Sequence, residues 1–148
     1  QRYWLVVREN QHCWFACVPA EPADDPLMVY TDTYEAPLAS AIKRTSVPLS
    51  HFLATHVLVE TTFSSRRLWS ISDRPFRADE FHVPIVPLLV GSTMGLPPNQ
   101  YDFYVDQKEQ VLIMNMPESN VTWVATRHLD IGAIYRDPAI CDDCRTRN

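Results

Sequence analysis

The chain has 148 residues, 46% of them hydrophobic, and a formal net charge of -5 at pH 7. At that length a single folded domain over 1–148 is expected, and the apolar content excludes a disordered chain. The acidic balance, with no basic block along the chain, argues against nucleic acid as a partner, and no apolar run is long enough to span a membrane.

Taken in order, Tyr3–Val7 and His12–Val18 are apolar runs separated by Arg8-Glu9-Asn10-Gln11, which predicts a hairpin. Pro19 to Pro26, with Asp24-Asp25 inside, reads as a loop, and Leu27–Tyr34 as a third strand. Between Pro37 and Pro48, Ala39–Arg44 fits a short helix, and Val47–Ala54 fits either a helical turn or the approach to a strand. His56–Phe63, HVLVETTF, is rich in β-branched residues and predicts a strand, followed by a turn at Ser64-Ser65 and a strand over Arg66–Ile71. Asp73–Asp79 reads as a loop. Phe81–Val90 is strand-like but carries Pro84 and Pro87, which lack the N–H a ladder needs, so it belongs at a sheet edge or a bulge.

Gly91–Gln100, containing Pro97-Pro98, reads as a turn region. Tyr101–Asp106 and Gln110–Met116 follow as two strands joined by the hairpin loop Gln107-Lys108-Glu109. From Val121 the chain alternates, with Trp123 and Ala125 on one side and Thr122, Val124 and Thr126 on the other. This run is expected to continue through Leu129, Ile131 and Ile134, with Gly132 as a bulge, until Asp137-Pro138 stops it. The pattern of about nine short strands predicts an all-β fold, an antiparallel two-sheet sandwich or half-open barrel with at most one or two short helices.

Four cysteines fall in two close pairs at opposite ends of the chain, Cys13/Cys17 and Cys141/Cys144. Disulfides, a zinc site with four cysteine ligands, and free thiols all fit the spacing. The flanks, Trp14, Phe15, Val18, Asp142 and Asp143, lack the glycine and basic residues usual in zinc knuckles and favour disulfides. The chain begins at Gln1 directly in an apolar run, as a processed secreted protein would, and Asn120-Val121-Thr122 is an N-glycosylation acceptor. A secreted, extracellular protein is therefore expected.

Catalytic signatures are weak. Cys13-Trp14 with His56, His82 or His128 downstream resembles the cysteine region of papain-like hydrolases. That chemistry needs a helix after the cysteine to lower its pKa, and Pro19, Pro22 and Pro26 follow instead. There is no G-x-S-x-G elbow, no H-E-x-x-H and no phosphate-binding glycine loop, so no enzyme is expected. Asp24-Asp25 and Asp142-Asp143 are candidate calcium ligands or simply solvated loop acids. The aromatic and methionine content is the better lead. Trp69, Phe81, His82, Phe103, Tyr104, Met114, Met116 and Trp123 are candidates to line a site for a large apolar ligand between sheets. The same residues could equally fill the core.

Four short patterns, in order, resemble the ependymin-related family of secreted glycoproteins. They are Cys17-Val18-Pro19 with Leu27-Met28-Val29-Tyr30, Pro75-Phe76 with Val83-Pro84, Leu89-Val90-Gly91-Ser92-Thr93, and Leu129-Asp130-Ile131 with Asp137-Pro138 and Cys141. The family's internal cysteines, including a Gly-Cys pair, have no counterpart here, so its bridges cannot all be carried over, and Cys13 and Cys144 have no obvious counterpart in the family. The resemblance implies two stacked antiparallel sheets curving into a deep hydrophobic pocket, similar to bacterial lipoprotein carriers. It further implies a glycosylated, homo- or hetero-dimeric protein that binds lipid-like ligands, with calcium sometimes involved. The expected function is binding of a long hydrophobic small molecule, a lipid, a retinoid or a carotenoid-like pigment, with no required cofactor. Two alternatives remain open: an adhesion or receptor-binding ectodomain, of cellular or viral origin, and a cysteine hydrolase using Cys13.

Overall fold

The computed structural model describes residues 2–9, 14–32, 41–95, 97–108 and 110–144. Among these, ten strands form two antiparallel sheets, one of four strands and one of six, beside one 16-residue helix and one single-turn helix. The all-β class, the antiparallel pairing and the small helical share are as expected. The chain divides into two compact units, Gln1–Thr55 with Thr93–Asn99, and His56–Ser92 with Gln100–Asn148.

The first unit carries β1 (Tyr3–Arg8), β2 (Phe15–Pro19), β3 (Leu27–Thr31) and β4 (Lys43–Pro48), which neighbour one another in chain order. The expected first hairpin is present, with Trp4 opposite Val18 and Leu5 opposite Cys17, and a bulge between Leu5 and Val7. The loop expected over Pro19–Pro26 begins one residue later, because Pro19 closes β2 opposite Tyr3. The third strand ends at Thr31, and Tyr34 lies outside the described residues. The helix expected over Ala39–Arg44 is corrected at its end: Lys43 and Arg44 belong to β4, opposite Tyr30 and Val29. Ala39 and Ser40 lie outside the described residues; for Lys43 and Arg44 the ladder to β3 supplies the backbone partners that so short a helix would lack. Thr45 adds to it by donating its hydroxyl to the Met28 carbonyl at 2.9 Å. The core of this unit holds Phe15, Ala16, Met28, Val29, Tyr30 and Phe52. Tyr30 packs edge-on against Trp14 at 5.4 Å and tilts against Phe52 at 6.2 Å.

The main departure is at 49–64. The strand expected over His56–Phe63 is instead the second half of a helix, α1 (Leu49–Ser64). Its buried residues are Phe52, Thr55, Val59 and Thr62, spaced by three or four, as one stripe of a helix requires. The two threonines on that stripe satisfy their hydroxyls within the helix, Thr55 donating to the His51 carbonyl at 2.9 Å and Thr62 to the Leu58 carbonyl at 2.8 Å. The N-terminus is capped from a distance. The Asp25 carboxylate accepts from the Ser50 N–H at 2.9 Å and from the Ser50 hydroxyl at 2.6 Å, and the Leu49 N–H donates to the Pro26 carbonyl at 2.9 Å. These groups would otherwise be orphan donors of the first turn. The same bonds from Ser50 hold Asp25 below the usual carboxylate range.

The six-stranded sheet carries β5 (Arg67–Ile71), β6 (Ile85–Met94), β7 (Asn99–Asp106), β8 (Val111–Met116), β9 (Val121–Thr126) and the short β10 (Asp142–Asp143), in the order β10-β5-β9-β8-β7-β6. β6 lies at the edge, as Pro87 inside it and Pro84 just before it require, and it starts at Ile85, four residues later than expected. It runs on to Met94, through a left-handed Gly91 (φ 71°), so the expected turn region is shorter than read. The expected β7–β8 hairpin is present, with β8 starting at Val111 in place of Gln110; Glu109 of the expected loop lies outside the described residues. The buried Asp106 carboxylate holds its turn, accepting from the backbone N–H groups of Gln110 at 2.6 Å, Val111 at 2.8 Å and Lys108 at 3.2 Å.

The closing strand is shorter than expected. β9 stops at Thr126, whose hydroxyl oxygen accepts from the N–H groups of His128 and Leu129, both at 3.4 Å, and turns the chain. Ile131–Ile134 then form the single turn α2, so Gly132 sits in a helical turn and not in a bulge. That turn delivers Ile134 and Tyr135 into a core cluster with Ile71, Phe81, Val111, Ile113 and Val124.

Candidate binding face

Residues opposed across neighbouring strands share a face, and successive residues alternate. In the six-stranded sheet Ser70 opposes Trp123, Trp123 opposes Met114, and Met114 opposes Phe103. Two residues on along each strand come Leu68, Ala125, Leu112, Met116, Val121, Tyr101 and Val105. This face is almost wholly apolar. Phe103 and Met114 are fully buried, and Leu68, Tyr101 and Ala125 are buried. Trp123 is half-buried, with the Phe63 ring of α1 edge-on to it at 5.1 Å.

The other face carries the row Trp69, Val124, Ile113 and Tyr104 and the row Ile71, Thr122, Asn115 and Asp102. It lies under the core cluster, against which Phe76, Val83, Ile85, Tyr104 and Cys141 pack. Phe76 stacks on Tyr104 at 4.5 Å, and Phe81 meets Tyr135 edge-on at 5.0 Å. Glu80 joins Arg74 to Tyr135, accepting from the guanidinium on one oxygen and from the phenol on the other. Burial first, and the bond to Glu80 second, push the Tyr135 hydroxyl above the usual phenol range. A shallow recess beside this group, between Ile71, Phe76, Phe81 and Thr122, has room for about one water molecule.

Ile85 of β6 packs on the cluster side, so strand alternation turns Val86, Leu88 and Val90 to the apolar face. There they are 40%, 51% and 53% exposed. They form the open margin of a face whose inner rows are buried. These three were missed as site residues. The edge position of Phe81–Val90 was legible from its prolines, and an edge strand's alternate apolar residues are the ones left uncovered.

The eight residues expected to line a site divide between the two faces. Phe103, Met114, Met116 and Trp123 share the apolar face, whereas Trp69 and Tyr104 lie on the other. Phe81 belongs to the core cluster, and His82 is exposed beside it, its backbone N–H donating to the Ile134 carbonyl at 2.8 Å. A ligand on one face therefore meets about half of the set. Tyr104 has its hydroxyl pushed up by burial and by Asp102.

The cysteine expectation is corrected for the described residues: Cys17, Cys141 and Cys144 are free thiols, each half-buried. Cys13, and with it the hydrolase pairing, lies outside the described residues. Cys141 sits against the core cluster with its thiol 3.8 Å from the Asp137 carbonyl, and burial, then Asp137, push it up to about 11. Cys144 lies 3.5 Å from the Ser70 hydroxyl. Burial also raises Cys17. Among the candidate calcium acids, Asp25 caps α1, while Asp142 and Asp143 pair with Ser70 and Trp69. Asn120 is exposed in a left-handed turn (φ 50°, ψ 42°) between β8 and β9, and Thr122 of its sequon is buried against Asn115 at 3.2 Å.

Comparison with protein-family models, curated proteins and solved structures finds no match to this chain. The likeness to ependymin-related proteins rests on the sequence patterns alone.

Proposed function

We propose that this chain is a secreted, non-enzymatic binding protein, glycosylated at Asn120, that takes up a long hydrophobic small molecule along the apolar face of its six-stranded sheet. The observation that carries this reading is the Val86–Leu88–Val90 margin: three apolar side chains left in water beside the buried Phe103 and Met114 rows. An acyl, retinoid or carotenoid-like chain laid along β6 would cover on the order of 200 Å² of that surface. That corresponds to about 5 kcal/mol before ordering costs. The ligand's polar end would remain in solvent at the strand end. Titration with a fluorescent fatty acid tests this. Leu88→Ser should weaken binding about tenfold, and Leu88→Met should keep it. Equal affinity in both variants would remove the face from consideration.

One further observation favours the protein-binding alternative. On the edge strand β1, Trp4 is 67% exposed and its neighbour Leu5 52%, on opposite faces. An apolar edge strand of this kind suits pairing with another chain. On that reading Trp4→Ser abolishes a specific protein association and leaves the fatty-acid titration unchanged.

A further inference from the structure

Thirteen Lys and Arg residues are spread along an acidic chain, and no stretch of sequence gathers them. The fold does. Arg67 opposes Thr126 across β5 and β9, and Thr126 opposes Val111 across β9 and β8. Arg66 adjoins the first of those residues and Arg127-His128 the second, while Lys108 stands at the tip of the β7–β8 hairpin at the same end of the sheet. Neighbouring strands are about 4.8 Å apart, so these chain ends fall within roughly 10–15 Å of one another.

Arg66, Lys108, Arg127 and His128 are all exposed. Among the described residues Arg66, Lys108 and Arg127 enter no ion pair. The described acids nearby are already engaged: Asp130 pairs with Arg67, and Asp106 accepts the three backbone N–H groups of the hairpin turn. Four cations, one of them paired, and a histidine thus gather at one sheet end beside two described carboxylates, an excess of positive charge among the described residues that an anionic ligand would relieve.

We infer that this end of the six-stranded sheet binds a linear sulfated glycan, with Arg66 and Arg127 gripping adjacent sulfates and Lys108 a third. Arginine's planar fork meets a sulfate oxygen pair as it meets phosphate or carboxylate, with two parallel hydrogen bonds. A flexible sulfated chain presents several charges inside the span available. A nucleic-acid duplex would engage only a few phosphates over that width, while the acidic remainder of the chain repels the rest. The inference stands on charge and register, independently of the apolar-ligand reading.

The test is fluorescence anisotropy of the full chain with a labelled, fully sulfated heparin hexasaccharide, across a salt series. Arg66→Ser/Arg127→Ser should weaken binding about tenfold and lower the slope of log affinity against log salt by about two. Lys108→Ser, on an exposed turn, should give a smaller loss in the same direction. Arg136→Ser, an exposed arginine elsewhere, should change neither. A double variant that binds like the parent, an equal loss in Arg136→Ser, tight binding of the desulfated hexasaccharide, or an oligonucleotide that binds as well as the glycan would each overturn the inference.

Discussion

Val57 and Val59 separate a helix from a strand at the point where sequence pattern and structure disagree. On a strand, residues two apart share a face, so the two valines would respond alike to truncation. On α1 they do not: Val59 is 8% exposed and Val57 60%. Val59→Ala removes two buried carbons, worth about 1.6 kcal/mol by transfer and about 2–3 kcal/mol once the residual cavity is included. For a chain of this size that lowers the thermal midpoint by roughly 5–10 °C. Val57→Ala removes almost no buried surface. It exchanges a β-branched residue for the best helix former, a gain of a few tenths of a kcal/mol on a helix and a loss on a strand. Circular dichroism melts and urea titrations of the two variants read both magnitudes. Similar losses for the two would refute the helical placement, whatever the spectrum of the parent.

Other expectations follow from the same structure. Asp106→Ala leaves three backbone N–H groups of the β7–β8 turn without their carboxylate, and should cost about 2–4 kcal/mol in urea unfolding, with Asp106→Asn intermediate; a change below about 0.5 kcal/mol would mean the turn holds itself. The Cys141 thiol, raised from an ordinary value near 9 to about 11, should resist iodoacetamide in the folded protein until the pH approaches 11. Because the folded value is the higher one, its contribution to stability is whole below about pH 9 and is lost as the pH rises through 11. Half-reactivity near pH 9 in the native state would contradict the burial. After unfolding without reductant, Cys17, Cys141 and Cys144 should all alkylate, and a missing adduct on any of them would place it in a bridge.

Much of the β architecture was legible because its signals are local. Gln107-Lys108-Glu109 between two alternating runs could hardly be anything but a hairpin, and Pro84 with Pro87 confined β6 to an edge. The helix was not legible, for two physical reasons. HVLVETTF is dense in β-branched residues, and intrinsic preference is a weak term that tertiary burial overrides. The cap that starts α1 comes from Asp25, far upstream in a loop, where no local capping pattern can show it. The end of β9 was missed likewise because Thr126 looks like a strand residue until its hydroxyl oxygen is seen turning the chain. For the candidate sites, single residue types were recognised and their grouping was not. Trp69 and Trp123 read alike in sequence, yet they stand on opposite faces of one sheet. The cations at 66, 67, 108 and 127 read as scattered because only strand register brings them together.

The distant cap on α1 also bears on how the chain reaches its structure. A sixteen-residue segment with four β-branched residues in its second half is a poor helix by itself, close to the length at which isolated helices are marginal even with favourable sequences. Its first turn is completed only when the loop carrying Asp25 and Pro26 has been brought alongside Leu49 and Ser50. The peptide 49–64 taken alone should therefore be largely unstructured. In the whole chain α1 should form late, after β3 has fixed that loop, with a rate limited by loop closure and not by local propensity.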